Sequence, residues 1–168
     1  GYAAKVADAG YIFMAFTNSP GRVVPYGSIK KMWGTNPITV AIPTGDVPVL
    51  LDMSTSKITV GQLLTSLRKD EEIPVGVGVD GKGKATTSPK KVWEEGGLLP
   101  ISGHKGSGLV FIGELLAGAL TGSRTGFSVP GGWGTFYLVI DPEIFREKDE
   151  FYKDVQTAIS ELKTSPKA

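Results

Sequence analysis

Ser102-Gly103-His104-Lys105-Gly106-Ser107-Gly108 runs directly into Leu109-Val-Phe-Ile-Gly-Glu-Leu-Leu-Ala-Gly-Ala-Leu120. Apolar residues nearly all round the predicted helix at 104–122 mark it as central and buried, packed against a sheet, with Gly113 and Gly118 permitting close approach. The backbone N–H groups and dipole at such a helix start favour an anion, and Lys105 adds a point charge. A glycine-rich turn beside an exposed lysine has the same composition, so residue types alone leave the two readings balanced.

Working outward, apolar runs of strand length occur at 11–16, 38–42, 49–53 and 136–140, bounded by turn residues such as Asn18-Ser19-Pro20-Gly21. The second and third of these flank Thr44-Gly45-Asp46 and read as a hairpin. Helical spacing is expected at 2–9, stopped by Gly10, and at 60–68, closed by Arg68 and Lys69. A last helix at 150–163 places Phe151, Val155, Ile159 and Leu162 on one face, and a polar tail follows. Between 73 and 97 the pattern loosens into Gly, Pro, Lys and Thr, which predicts a surface excursion with a short strand or an extended arm at 75–80.

Strands and helices without strict alternation point to an α/β layered domain with a mixed β-sheet flanked by helices. At 168 residues the chain has the length of a single domain, spanning 1–168. Lys and Arg number 18 against 17 acidic residues, net +1 and scattered, so no nucleic-acid footprint is expected. Absence of cysteine removes disulfides and thiolate metal sites, and a lone histidine removes a histidine cluster, so no metal is expected. The apolar run at 109–120 is too short for a membrane span, which needs roughly 20 residues. No membrane partner and a cytoplasmic location follow as the default expectation.

Gly76-x-Gly78-x-x-Gly81 has the dinucleotide-fingerprint spacing, but no helix is expected after it, so the pattern is discarded. Asp52-Met53-Ser54-Thr55-Ser56 ends a strand with a carboxylate and hydroxyls that suit a ribose or pyrophosphate, and that equally suit capping of the next helix. His104 is assigned a contact role at most. Glu114, alone in an apolar helix, has a catalytic reading open to it, but is expected rather to serve in a structural ion pair or face a partner.

Several ordered motifs extend over nearly the whole chain: Gly34-Thr-Asn-Pro37, Ile42-Pro-Thr-Gly45, Leu51-Asp-Met-Ser-Thr-Ser56, Leu98-Leu-Pro100, Gly103-His-Lys-Gly106 and Leu115-Leu-Ala-Gly-Ala-Leu-Thr-Gly122. Together they resemble the malate/L-lactate dehydrogenase family that lacks a Rossmann fold. That family includes malate, sulfolactate and ureidoglycolate dehydrogenases and reductases of diketogulonate and cyclic imino acids. The resemblance implies a non-Rossmann NAD(P)-binding domain, with NAD or NADP as cofactor and a small-molecule 2-oxo or 2-hydroxy acid as substrate. It also implies a homodimer, and an inserted central domain that meets the remaining segments of a larger parent enzyme.

Carried over residue by residue, the resemblance assigns the cofactor to Val49, Leu50, Leu51, Asp52, Met53, Ser54, Thr55, His104 and Lys105. Thr35 and Asn36 are similar to a loop on the substrate side. The family's catalytic histidines belong to its N-terminal part, so no catalytic residue is assigned here. Two departures stand out: Gly76-Val77 where relatives usually carry Gly-Trp, and Gly131-Gly-Trp-Gly-Thr135 in place of a more usual Gly-His. The alternative reading is a stand-alone nucleotide-binding or assembly module without catalysis.

Overall fold

The structure is a computed structural model, and it describes residues 1–123, 125–126 and 133–166. Gly131 and Gly132 of the departing motif, and the last two residues of the tail, lie outside the described residues. The chain divides into two compact units, one formed by Gly1–Ala15, Thr39–Asp52 and Tyr137–Ala168, the other by Phe16–Ile38 and Met53–Phe136.

The first unit begins with helix α1 (Tyr2–Asp8). Gly10, at φ 93°, ends it in a left-handed turn, with the Gly10 N–H donating to Ala7 O and the Tyr11 N–H to Val6 O. That bond pair is a Schellman stop, which only glycine enters without strain. Strands β1 (Ile12–Thr17), β2 (Ile38–Ile42), β3 (Val49–Met53) and β6 (Thr135–Ile140) build a four-stranded sheet in the order β3-β2-β1-β6. A core of Ala3, Ala7, Phe13, Ala15 and Ala41 fills this unit, its alanines letting backbones approach closely. The 3₁₀ turn Pro142–Ile144 and helix α5 (Lys148–Thr164) complete it. No residue of α5 is fully buried; Phe151, Val155 and Ile159 of the expected apolar face are half-buried and Leu162 is 78% exposed, so that face is partly covered.

The sheet is antiparallel and flanked by helices, within the layered α/β arrangement expected. Parallel neighbours need a crossover, usually through a helix. Here the helices between strands fall between β3 and β6, which sit at opposite edges.

The second unit contains α2 (Val60–Lys69), β4 (Gly78–Val79), α3 (Pro89–Glu94), β5 (Gly97–Leu98), α4 (His104–Glu114) and a π-helical turn at Leu115–Leu120. Its core is Val23, Leu63, Ile73, Val77, Val92 and Leu98, flanked by Ile58, Val60 and Trp93. Half of that core comes from 73–97, which overturns the surface excursion expected there. Ile73, Val77 and Val92 are widely spaced among polar residues, so no local period reveals them; β4 pairs β5, and helix α3, capped by Ser88 with Pro89 in its first turn, packs against α2.

Helix α4 also departs from expectation. Val110, Gly113 and Glu114 are buried, but Leu109, Phe111, Ile112 and Leu115 are 41–48% exposed and Leu120 is 66% exposed. An all-round apolar pattern reports a helix made to be covered, and in this chain one side of it is open.

Candidate functional site

In the second unit three stretches that carry expected site residues are stitched together by backbone geometry. Where the chain leaves β3, Thr55 is fully buried. Its N–H donates to Thr35 O at 3.0 Å, and its hydroxyl reaches both Thr35 O and Asn36 O at 3.0 Å. The Thr55 carbonyl accepts from the Ile101 N–H at 2.9 Å, and Ser56 bridges Pro100. Ile101 stands three residues before the start of α4, so Thr55 fixes the 35–36 loop and the approach to His104 at once. Ser54 lies half-buried, its Oγ 3.2 Å from Thr35 O and 2.6 Å from Ser56 Oγ. Met53 is likewise half-buried.

The start of α4 is shaped by backbone strain. Ser102 and Gly103 both take positive φ, at 48° and 58°. An added Cβ on Gly106 would overlap the Ile101 carbonyl oxygen, whereas one on Gly108 would meet nothing within 4 Å. Gly103 and Gly106 are therefore demanded by the fold, and Gly108 by neither packing nor dihedral. His104 and Lys105 are exposed. Tyr26 packs edge-on against the His104 ring with centroids 5.8 Å apart, and its N–H donates to Ser107 Oγ at 2.7 Å. Sequence reasoning missed Tyr26, because its partner lies 81 residues away.

Beneath this surface is a buried polar cluster. Glu114 is 1% exposed, Asn18 fully buried and Asn36 2% exposed. Asn36 Nδ2 donates to Glu114 Oε1 at 2.8 Å, Asn18 Nδ2 lies 3.5 Å from Glu114 Oε2, and the Gly126 N–H donates to Oε2 at 3.1 Å. The ion pair or partner-facing position expected for Glu114 is thus replaced by amide donors. Leaving a carboxylate buried without partners would cost several kcal/mol, and multiple N–H donors offset that penalty. Asn36, at φ 22°, also accepts from the Ser19 N–H through Oδ1, so its whole side chain is engaged inside the protein.

The remaining expected cofactor residues, Val49, Leu50, Leu51 and Asp52, belong to the first unit. All four are exposed, and Asp52 Oδ1 accepts from Thr39 Oγ1 at 3.0 Å. Val49 also borders a cleft of about 970 Å³ beside Thr44, Val47, Gln156, Ile159 and Leu162. Among the described residues no group of three or more His, Cys, Asp or Glu is placed to hold a metal ion, and no helix is long and apolar enough to cross a membrane.

An exposed lysine thus stands in the first turn of α4, near an open Gly108, and hydroxyls gather where the chain leaves the sheet. The malate/L-lactate dehydrogenase profile matches residues 1–168, and the chain belongs to that family. It is 38% identical to a malate dehydrogenase of Pyrococcus horikoshii, covering 99% of this chain and 50% of that protein. It is 40% identical to a Delta(1)-pyrroline-2-carboxylate/Delta(1)-piperideine-2-carboxylate reductase of Pseudomonas putida, over 81% of this chain and 43% of that one. The solved sulfolactate dehydrogenase of Methanocaldococcus jannaschii superposes with a TM-score of 0.88 at 36% identity, over 99% of this chain and 50% of its own. The chain spans about half the length of the relatives it matches. Its family is one of oxidoreductases that includes malate and sulfolactate dehydrogenases and imino acid reductases.

Proposed function

We propose that this chain is the NAD(P)-binding part of an oxidoreductase that transfers a hydride between a nicotinamide cofactor and a 2-hydroxy or 2-oxo acid such as malate or lactate. The observation that carries this reading is the family match along all 168 residues. One relative, a (2R)-3-sulfolactate dehydrogenase of Chromohalobacter salexigens, is named for NADP(+). In this reading the 168 residues act as one inserted cofactor-binding domain.

The donor set fits a dinucleotide. Lys105 is an exposed cation at the first turn of α4, where the helix dipole also favours a phosphate. Gly108 leaves open space one turn on. Ser54 supplies a hydroxyl of the kind that ribose hydroxyls and amides pair with. Bound, the cofactor supplies the hydride; the protein supplies orientation and electrostatics.

The residues assigned to holding it are Val49, Leu50, Leu51, Asp52, Met53, Ser54, Thr55, His104 and Lys105. Thr55 acts through its backbone anchoring, because its hydroxyl is turned inward. Thr35 and Asn36 border the substrate side, and the internal engagement of the Asn36 amide makes their contribution one of loop shape. The open apolar side of α4 supports packing against the remaining segments of a parent enzyme. A homodimer is carried over with the resemblance, and a cytoplasmic location is kept as the default reading.

Calorimetric titration of the 168-residue chain with NADH and with NADPH tests the reading. Saturable binding of either is expected, and binding of neither would overturn it.

A further inference from the structure

Hydrogen-bond direction in the cluster around Glu114 is fixed from outside it. The Ser19 N–H donates to Asn36 Oδ1 at 3.2 Å, and the Gly134 N–H donates to Asn18 Oδ1 at 2.7 Å. Backbone N–H groups donate and cannot accept, so neither asparagine amide can be flipped without setting N–H against N–H. Both Nδ2 groups are therefore aimed at residue 114, together with the Gly126 N–H. Three donors converge on one buried side chain, and only a group that accepts on both of its terminal atoms satisfies them. A carboxylate does so; an amide of the same shape does not.

The cluster reaches the surface through the loop 35–36. Glu114 holds the side chain of Asn36, and the carbonyls of Thr35 and Asn36 in turn receive the Thr55 hydroxyl, while Thr35 O receives the Thr55 N–H. Asn36 sits at a positive φ that a side chain must hold in place. Immediately after Glu114 the helix changes from α to π hydrogen bonding at Leu115–Leu120. The π segment closes the helix, with its C-cap at Thr121.

We propose that Glu114 is a positioning residue for the cofactor site: from inside the protein it fixes the 35–36 loop, and through it the strand exit at Ser54 and Thr55. This assignment rests on the reading of Ser54 and Thr55 as cofactor-binding. Glu114 touches neither cofactor nor substrate in it.

The test compares the 168-residue chain with Glu114→Gln, and with the double variant Glu114→Gln/Asn36→Asp, by calorimetric titration with NADH and NADPH at a temperature where melting curves show each folded. Glu114→Gln keeps size and shape but sets an amide N–H against the converging donors. The double variant moves the carboxylate to position 36, where it would accept from both the Ser19 N–H and the amide introduced at position 114, with net charge unchanged. Expected are about tenfold weaker binding in Glu114→Gln and recovery to within about threefold in the double variant, the coupled pattern of a shared network. Rescue by reversing the donor and acceptor is a result that a residue needed only for packing does not give.

Wild-type chain that binds either cofactor alongside a Glu114→Gln variant of equal affinity overturns the assignment and leaves the functional reading standing. Wild-type chain that binds neither overturns the functional reading and this assignment with it. Should Glu114→Gln fail to fold, the double variant decides: folded with wild-type affinity it supports the assignment, and folded with affinity lost it overturns it.

Discussion

Gly106 stands so close to Ile101 that any Cβ on it would overlap the Ile101 carbonyl oxygen. Two residues on, at Gly108, the same atom would find open space. Gly106→Ala is therefore expected to destabilise the chain by about 1–3 kcal/mol through overpacking. Gly108→Ala is expected to raise stability by about 0.5–1 kcal/mol, the ordinary gain of alanine over glycine within a helix. The same Gly108→Ala weakens NADH binding if ligand approaches the backbone there. Denaturant melts of the two variants, with a cofactor titration of the second, check all three outcomes.

Thr59 and Gln62 form a reciprocal cap on α2: the Gln62 N–H donates to Thr59 Oγ1 at 3.1 Å, and the Thr59 N–H to Gln62 Oε1 at 2.8 Å. Thr59→Ala removes one half of it and is expected to cost about 1 kcal/mol. For a chain of this length that corresponds to a melting temperature roughly 2–4 °C lower, readable by circular dichroism.

The Asp80 carboxylate lies below the usual aspartate value of 3.8, held there first by the Lys84 backbone N–H and then by that of Lys82. In the window between the folded and unfolded values the unfolded chain binds more protons, so stability falls as pH drops through it. The contribution is complete above the unfolded value and lost below the folded one. Asp80→Asn keeps an acceptor for the two N–H groups but does not ionise. It should flatten the fall in melting temperature between about pH 5 and 2, with the variant melting below the wild-type chain at neutral pH and converging with it at low pH.

Protonation of a carbonyl oxygen during reduction needs a positioned acid. The lone histidine, His104, is exposed and packed edge-on against Tyr26. The 168-residue chain supplied with NADH is expected to give no turnover of pyruvate or oxaloacetate, followed by loss of NADH absorbance. Measurable turnover contradicts the prediction.

Strand positions in the four-stranded sheet were readable because each of its strands is a short apolar run between turn residues; 38–42 and 49–53 match the structure at both ends. The 73–97 stretch was not readable. Ile73, Val77 and Val92 enter the core singly, each brought in by pairing or packing with distant residues, so nothing within the segment repeats. The site divides in the same way. Ser54, Thr55 and Lys105 were visible as residue types at an element boundary. Tyr26 and Asn18 acquire their roles from partners 81 and 96 residues away. Glu114 announced itself as a lone charge in an apolar helix, but the nature of its partners could not be read from its own segment.

The sequence distances within the cluster also bear on how the chain folds. Asn36 meets Glu114 across 78 residues, and Asn18 meets Gly134 across 116. Closing loops of that length is entropically costly and comes late in folding. During vectorial synthesis the first hundred residues can complete β1, β2 and β3, yet the Asn36–Glu114 and Asn18–Gly134 bonds cannot form until the segment from 114 to 134 is made. A ribosome-bound chain shorter than about 114 residues should therefore protect its early strands from exchange before the Asn36–Glu114 bond can form.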